Sequence, residues 1–390
     1  MKKVGMEVSL AVAEAAKLAD ADVISAYPIT PQTHIVERLA DIVASGELKA
    51  SYIPAESEHS ALSACLGAAA VGARVFTATS SQGLELMHEV LYVASGMRLP
   101  VVMAVANRAI SAPLSIWGDH SDAMAVRDTG WIQIFVENGQ EAFDNTVCAF
   151  RIAEDPNVLL PVMVHMDGFH LTHMVEPIEL LEQSQVADFI PPYHYPLPLD
   201  PDKPVTMGGF APPLIYTEAK KMQEVNFKAS KARVQACWDE FGKRFGRYYK
   251  PIEAYKTEGA RVLLMTMGSF SETASSAIDK MKADGRDVGL LKLKLWRPFP
   301  FEEFRELVKN AEVVIVLDRA MSTGGPGGPV CSEVKSALYN EPKRPKVIGF
   351  IGGLGGRDIT VAGFEQMVNR GIELAAKGVQ IESEMFGVRE

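Results

Sequence analysis

Over its first 167 residues the chain alternates short β-rich runs with segments of helical spacing, and this rhythm constrains the fold more than any other feature. Residues 6–19 read as an Ala-rich helix, 23–26 as a strand, 31–43 as a helix and 51–54 as a short strand. Residues 57–71 carry Ala61, Ala64, Cys65, Ala68 and Ala69 at helical spacing, with Gly67 among them; side chains this small let a helix lie close against a sheet. Then follow a strand at 74–79, a helix at 83–94, an apolar strand at 100–106, a strand at 132–136, a helix at 141–152 and a strand at 158–164. Such alternation predicts a doubly wound α/β domain whose mostly parallel sheet is covered on both faces.

The regularity stops after Asp167. Residues 191–213 contain eight prolines, including Pro191-Pro192 and Pro212-Pro213, so they form neither a helix nor a central strand. An extended arm is expected there. A long helix follows at 218–248, with Met222, Val225, Val234, Cys237, Trp238, Phe241 and Phe245 near one face. From Ala260 a second, smaller α/β unit begins, with strands at 261–266, 288–295, 313–317 and 347–351 and a helix at 272–283. Two Gly-rich segments, at 324–329 and 352–356, match neither a phosphate-binding loop nor a dinucleotide fingerprint, and are read as tight turns or subunit contacts. The expected division is 1–175, 176–255 and 256–390.

Composition narrows the function classes. With 47% hydrophobic and 23% charged residues the chain is ordinary globular material, and its net charge of −10 argues against nucleic acid as a partner. No apolar run is long enough to span a membrane, so no membrane contact is expected and the cytoplasm is the default location. Cys65, Cys148, Cys237 and Cys331 lie far apart with no Cys-x-x-Cys pair, which excludes an ordinary ferredoxin-type cluster motif and gives no disulfide framework. Reduced, buried thiols are expected. If the protein takes part in electron transfer, the carriers sit on another chain.

The candidate chemistry lies where strands end, since open α/β sheets hold their ligands at the carboxyl ends of strands. Pro28 and Pro31 break the strand at 23–26 and present Thr30. Glu58 follows Ser57, a possible N-cap, in the first turn of a helix. Arg108 opens a loop rich in Pro, Gly and Asp. Each has an ordinary structural alternative. Thr30 can cap a helix starting at Pro31, Glu58 can be a favourable charge at a helix end, and Arg108 can pair with Asp119, Asp122 or Asp128. Glu56 is assigned to surface or interface, and His59 to packing. Gly118-Asp119-His120-Ser121-Asp122 is read as a hydrogen-bonded loop rather than a metal site.

Five motifs, taken in order, resemble those of the pyruvate:ferredoxin oxidoreductase family. They are Tyr27-Pro28-Ile29-Thr30-Pro31, Glu56-Ser57-Glu58, the run from Thr77 through Ser80-Ser81-Gln82-Gly83 to Leu84, the run from Asn107-Arg108 to Asp122, and Leu290 through Trp296-Arg297-Pro298 to Pro300. The resemblance covers nearly the whole chain. It implies a thiamin-diphosphate-binding-like domain of the pyrimidine type, followed by a smaller domain similar to the C-terminal domain of transketolases. It also implies an α subunit of a complex that turns pyruvate, coenzyme A and oxidised ferredoxin into acetyl-CoA, carbon dioxide and reduced ferredoxin.

Carried onto this sequence, the resemblance implies that Glu58 hydrogen-bonds the pyrimidine ring of thiamin diphosphate, with Pro28, Ile29, Ser81 and Gln82 beside the cofactor. It implies that Thr30 and Arg108 hold the substrate, Arg108 at its carboxylate. The diphosphate side, normally marked by Gly-Asp-Gly, is missing: Gly118-Asp119 runs into His120, and Asp284-Gly285 into Arg286. The cofactor is therefore expected to be shared with a β subunit. Mg²⁺ and 4Fe–4S clusters are expected on partners, including γ- and δ-type subunits or domains, and no metal on this chain. A branched-chain 2-oxoacid enzyme and a non-catalytic scaffold subunit remain as alternatives.

Overall fold

The computed structural model describes residues 2–378 and 382–389. A seven-stranded sheet runs in the order Leu295–Arg297, Ile132–Phe135, Val162–Asp167, Val101–Asn107, Val75–Thr79, Val23–Ala26, Ser51–Pro54. All neighbouring pairs are parallel except the first. The central strands Val75–Thr79, Val101–Asn107 and Val162–Asp167 are buried at every position, as a sheet covered on both faces requires. One face packs on Val8–Leu18, Thr33–Ala44 and Gly139–Ala153. The other lies under Glu58–Ala70, whose Ala61, Cys65 and Ala69 are fully buried, and under His88–Gly96.

Several expectations shift. The first helix begins only at Val8, because Lys2–Glu7 forms an antiparallel pair with Val175–Leu180, a strand outside the expected pattern. The helix expected from residue 83 starts at Ser81 and breaks at Met87 into Ser81–Leu86 and His88–Gly96. The Pro-rich segment is extended and packs against the ends of the helices that cover the first sheet. The Tyr195 hydroxyl reaches the Met97 carbonyl at 3.5 Å, and the Leu199 N–H donates to the Ala70 carbonyl at 2.8 Å.

The long helix, Pro213–Phe245, is apolar on one face only in its second half. There Val234, Cys237, Trp238 and Phe241 enter the core, and the Trp238 Nε1–H donates to Asn145 Oδ1 at 2.9 Å. Burying side chains of that size contributes roughly 1.5–3 kcal/mol each. Met222 and Val225, expected on the same face, are exposed. Gly246 ends the helix in the left-handed conformation, a C-terminal stop that suits glycine.

The second sheet runs Glu384–Met385, Lys346–Ile351, Val313–Asp318, Val262–Met267, Val288–Leu293, Ile252–Tyr255, parallel but for the last strand. Helices Phe270–Ala283 and Val361–Lys377 cover one face, and Phe301–Val308 and Pro329–Leu338 the other. The strand expected at 288–295 ends at Leu293. The next run, Leu295–Arg297, crosses over and pairs antiparallel with Ile132–Phe135, so the first sheet borrows an edge from the second half of the chain. Among the described residues no helix is long and apolar enough to cross a membrane.

Candidate active site at the strand ends

Glu58 is the first residue of its helix. The Ser57 Oγ accepts the Ser60 N–H at 3.2 Å, so the expected N-cap is present and the helix is anchored without the Glu58 side chain. That carboxylate is 6% exposed and accepts no hydrogen bond among the described residues. It lies against Gly83: a Cβ built there would stand 2.6 Å from Glu58 Oε1 and 2.6 Å from Thr79 Oγ1. Gly83 thus leaves the space that the carboxylate fills.

Around this point buried polar atoms lack partners among the described residues. The hydroxyls of Thr79 and Ser80, the amide Nε2 of Gln82 and Oε1 of Glu85 all belong to this strand end and the helix after it, whereas the Thr77 hydroxyl faces the buried Cys65 thiol. Buried polar groups are nearly always satisfied, so such a concentration points to a ligand-facing surface. Ser81 differs. Its hydroxyl is within reach of Gln82 Oε1 at 2.6 Å and the Ala109 carbonyl at 2.8 Å, so its polar contacts are internal and it supports Gln82 instead of reaching outward.

Thr30 is not a helix cap. The helix begins at Thr33, with Gln32 at the cap position, and the Gln32 amide donates to the Tyr27 carbonyl at 2.7 Å to hold the turn. Pro28 and Thr30 are exposed and Ile29 half-buried at this strand end. The Thr30 carbonyl accepts Arg108 Nη1 at 2.9 Å, and the Ser115 carbonyl accepts Arg108 Nε at 3.0 Å. Thr30 and Arg108 are therefore brought together although 78 residues apart. No carboxylate pairs with Arg108 among the described residues. Burial lowers its guanidinium from the ordinary value, with Asp122 opposing. A buried cation without a counter-charge is poised for an anion.

The segment after Arg108 is stitched by its own acids. Asp119 Oδ1 accepts both the Ser121 N–H and the Ser121 hydroxyl, and Asp119 Oδ2 accepts the Gly355 N–H at 3.2 Å. Asp122 takes the backbone N–H of Ser81 and of Arg108, each at 3.0 Å, and Asn107 Nδ2 at 2.8 Å. Burial pushes its carboxyl up to about 7 against the pull of those donors. The alternative reading of Arg108, an ion pair with Asp119, Asp122 or Asp128, is not met among the described residues: its contact with Asp122 is through the backbone N–H. The second Gly-rich segment closes on this loop within the chain, with the Gly356 N–H on the Gly118 carbonyl at 2.8 Å. Close approach requires glycine there: a Cβ on Gly356 would stand 2.5 Å from Trp117 Cβ.

Glu56 is exposed and His59 half-exposed, the latter 3.7 Å from Glu89. Among the described residues the carboxylates spaced for a cation are Glu137, Glu141 and Glu253, and the ammonium groups of Lys292 and Lys294 already stand among them. Sequence reasoning singled out neither Thr79 nor the particular contacts of Gly83 and Asp122, though it set the turn 80–83 beside the cofactor and the loop 118–122 near the site. All three lie within the motifs, but the contacts that matter, Gly83 with Glu58 and Asp122 with Ser81, join separate motifs.

Comparison with known proteins gives a consistent family. A model described as pyruvate flavodoxin/ferredoxin oxidoreductase, thiamine diphosphate-binding, matches residues 14–237, and one described as pyruvate:ferredoxin oxidoreductase core domain II matches residues 260–364. The chain is 51% identical to pyruvate synthase subunit PorA of Methanothermobacter thermautotrophicus, over 92% of this chain and 93% of that one. It is 45% identical to ketoisovalerate oxidoreductase subunit VorA of Pyrococcus horikoshii, over 90% and 89% of the two chains. Among solved structures, a 2-oxoglutarate:ferredoxin oxidoreductase from Magnetococcus marinus, with 2-oxoglutarate, coenzyme A and succinyl-CoA bound, aligns with a TM-score of 0.74 at 23% identity. That alignment covers 96% of this chain, which spans 65% of the other. An inactive β4 tetramer of a split-gene transketolase aligns with a TM-score of 0.57 at 12% identity, covering 95% of this chain and 100% of that one. At these identities the two structures show a shared fold.

Proposed function

Because the chain belongs to the pyruvate:ferredoxin oxidoreductase family, we propose that it works as the α subunit of a pyruvate synthase. The complex carries out thiamin-dependent oxidative decarboxylation of pyruvate to acetyl-CoA and carbon dioxide, with the electrons passed to ferredoxin. The observation that carries the reading at the site is the Glu58 carboxylate, buried, without a partner among the described residues and beside the unpaired hydroxyl of Thr79. This donor set fits an aminopyrimidine, which offers both N–H groups and ring nitrogens.

Bound there, thiamin diphosphate supplies the nucleophilic carbon and the electron sink for decarboxylation. Glu58 would hold a proton at the pyrimidine ring nitrogen. Gln82 and the Thr79 hydroxyl would bond the ring's polar edge, Pro28 and Ile29 would pack beside it, and Ser81 would orient Gln82. Arg108 would engage the pyruvate carboxylate with the part of its guanidinium that the Thr30 and Ser115 carbonyls leave free, and the Thr30 hydroxyl would bond a substrate oxygen.

The rest of the machinery is placed on partners. A β subunit would complete the diphosphate and Mg²⁺ side; the exposed Tyr27, Ile53, Leu114 and Trp117 near the site support a covering partner. The 4Fe–4S clusters would sit on β-, γ- or δ-type subunits or domains. Supporting this, Cys65, Cys148, Cys237 and Cys331 are all buried and free, with burial pushing the Cys65 and Cys331 thiols up to about 12. The complex would work in the cytoplasm. The 1–175, 176–255 and 256–390 division is kept as a working scheme, with Leu295–Arg297 crossing it.

The test is the assembled complex with Glu58→Gln. Thiamin diphosphate should still bind by calorimetry, while proton exchange at its reactive carbon slows by orders of magnitude; unchanged exchange removes Glu58 from the mechanism. Assay of the wild-type complex against pyruvate, 3-methyl-2-oxobutanoate and 2-oxoglutarate decides the substrate. A preference for the branched acid would move the chain to the ketoisovalerate branch, which its 45% identity to that subunit keeps in view.

A further inference from the structure

Asp122 is fully buried at the start of a short helix, Ser121–Ala125, and belongs to neither the expected cofactor set nor the substrate set. One of its carboxylate oxygens nevertheless touches both. Oδ2 accepts the backbone N–H of Ser81, where the chain turns into the helix bearing Gln82 and Gly83, and also the backbone N–H of Arg108. Oδ1 accepts Asn107 Nδ2, and the same amide nitrogen meets His165 Nδ1 at 3.1 Å. Burial drives the His165 pKa down to about 3, so its ring is neutral and its Nδ1 can serve as the acceptor.

The ends of two neighbouring parallel strands, Val75–Thr79 and Val101–Asn107, are thus tied to one carboxylate just where the cofactor and substrate residues leave the sheet. Ser81 stands at φ +47°, a conformation that non-glycine residues avoid and that surrounding bonds must hold. The Ser81 hydroxyl on the Ala109 carbonyl and the Ile110 N–H on Ser121 Oγ close the same stitch.

We propose that Asp122 is a positioning residue: it sets the place of the Arg108 guanidinium relative to the Gln82–Gly83 turn, and so the distance at which substrate meets cofactor. The inference rests on Arg108 as the substrate's carboxylate partner. Every group facing Asp122 in these contacts is a donor or lies behind one. An amide in its place would set its own N–H against at least one of them, whichever way it is turned.

The experiment is a double-mutant cycle on the assembled, thiamin-loaded complex, read as the dissociation constant of oxamate, an unreactive isostere of pyruvate that keeps the carboxylate. Asp122→Asn should weaken oxamate roughly tenfold or more, and Arg108→Leu at least as much. Together they should be no weaker than Arg108→Leu alone, because Asp122 acts through Arg108. Independent, additive losses overturn the proposal, and so does an Asp122→Asn enzyme that loses only melting temperature and binds oxamate normally. If Arg108→Leu itself leaves oxamate binding unchanged, the substrate reading of Arg108 fails, a result distinct from the failure of Asp122. Should Asp122→Asn not assemble, Asn107→Ala removes one arm of the clamp and enters the same cycle: a loss that vanishes in the Arg108→Leu background supports the proposal, and an additive one overturns it.

Discussion

Single residues at this site are defined by what they lack. Gly83 lacks a Cβ, and among the described residues Arg108 lacks a counter-ion and Glu58 a donor. Gly83→Ala separates local helix preference from site geometry. Alanine favours an exposed helix by about 1 kcal/mol over glycine, yet here its methyl would fall on the Glu58 carboxylate and the Thr79 hydroxyl. The near atoms, Glu58 Oε1 and Cγ and Thr79 Oγ1, belong to side chains and not to backbone, so they give way and the fold survives. The expected outcome is a nearly unchanged melting temperature with thiamin diphosphate binding weakened by at least tenfold in calorimetry. Wild-type affinity would show that the carboxylate position is not critical.

At the scale of elements, the strand Leu295–Arg297 matters out of proportion to its length. It covers the edge strand Ile132–Phe135, and the Phe135 N–H donates to the Lys294 carbonyl at 2.7 Å. An uncovered, fully buried strand at a sheet edge is a template for self-association. A fragment of residues 1–255 should therefore melt below the full chain and self-associate, as seen by light scattering. A monomeric fragment as stable as the parent would show that the borrowed strand is dispensable. The same element shows the limit of pattern reading. In residues 288–295 leucine and lysine alternate from Leu291 on, so alternation alone continues the strand through Leu295, whereas the structure splits it at Lys294. Lys294 is buried among Glu137, Glu141 and Glu253 at the junction of the two sheets, contacts that a local pattern does not contain.

For the molecule as a whole, Asp167 joins the halves. It stands at the end of Val162–Asp167, pairs with His120 at 2.7 Å and Arg319 at 2.8 Å, and accepts the Ser269 N–H and hydroxyl at 2.6 Å each. Burial pushes its carboxyl up, but Arg319, His120 and Ser269 outweigh that and hold it far below the usual carboxylate range. A depressed folded-state pKa contributes stability that is complete above the ordinary carboxylate pKa and is lost only as pH falls through the lower folded value. The joint is therefore fully formed at neutral pH and fails only in strong acid. Asp167→Asn leaves Arg319 buried and unpaired, which costs about 3–5 kcal/mol. The expected result is a lower melting temperature, with the two halves unfolding in separate calorimetric steps; a single unshifted transition would show that other contacts carry the joint.

By itself the sequence determined the alternating order of elements, because strand and helix periodicity and proline breaks are local properties. The strands Val23–Ala26 and Ser51–Pro54 were readable to the residue, and Ser57 as the cap of the Glu58 helix was readable from residue type and place. The motifs also marked Glu58, Thr30 and Arg108 as the residues to follow, but they left each with an ordinary alternative. The tertiary structure removed two of those alternatives: among the described residues Thr30 caps no helix, and Arg108 meets carbonyls instead of carboxylates. The pairing of Lys2–Glu7 with Val175–Leu180, the crossing of Leu295–Arg297, the Asp122 clamp and the Asp167 joint were likewise decided there. Each depends on groups far apart along the chain that meet only once the sheets have formed, and a buried charge or donor takes its partner from whatever the packed fold brings within hydrogen-bond reach.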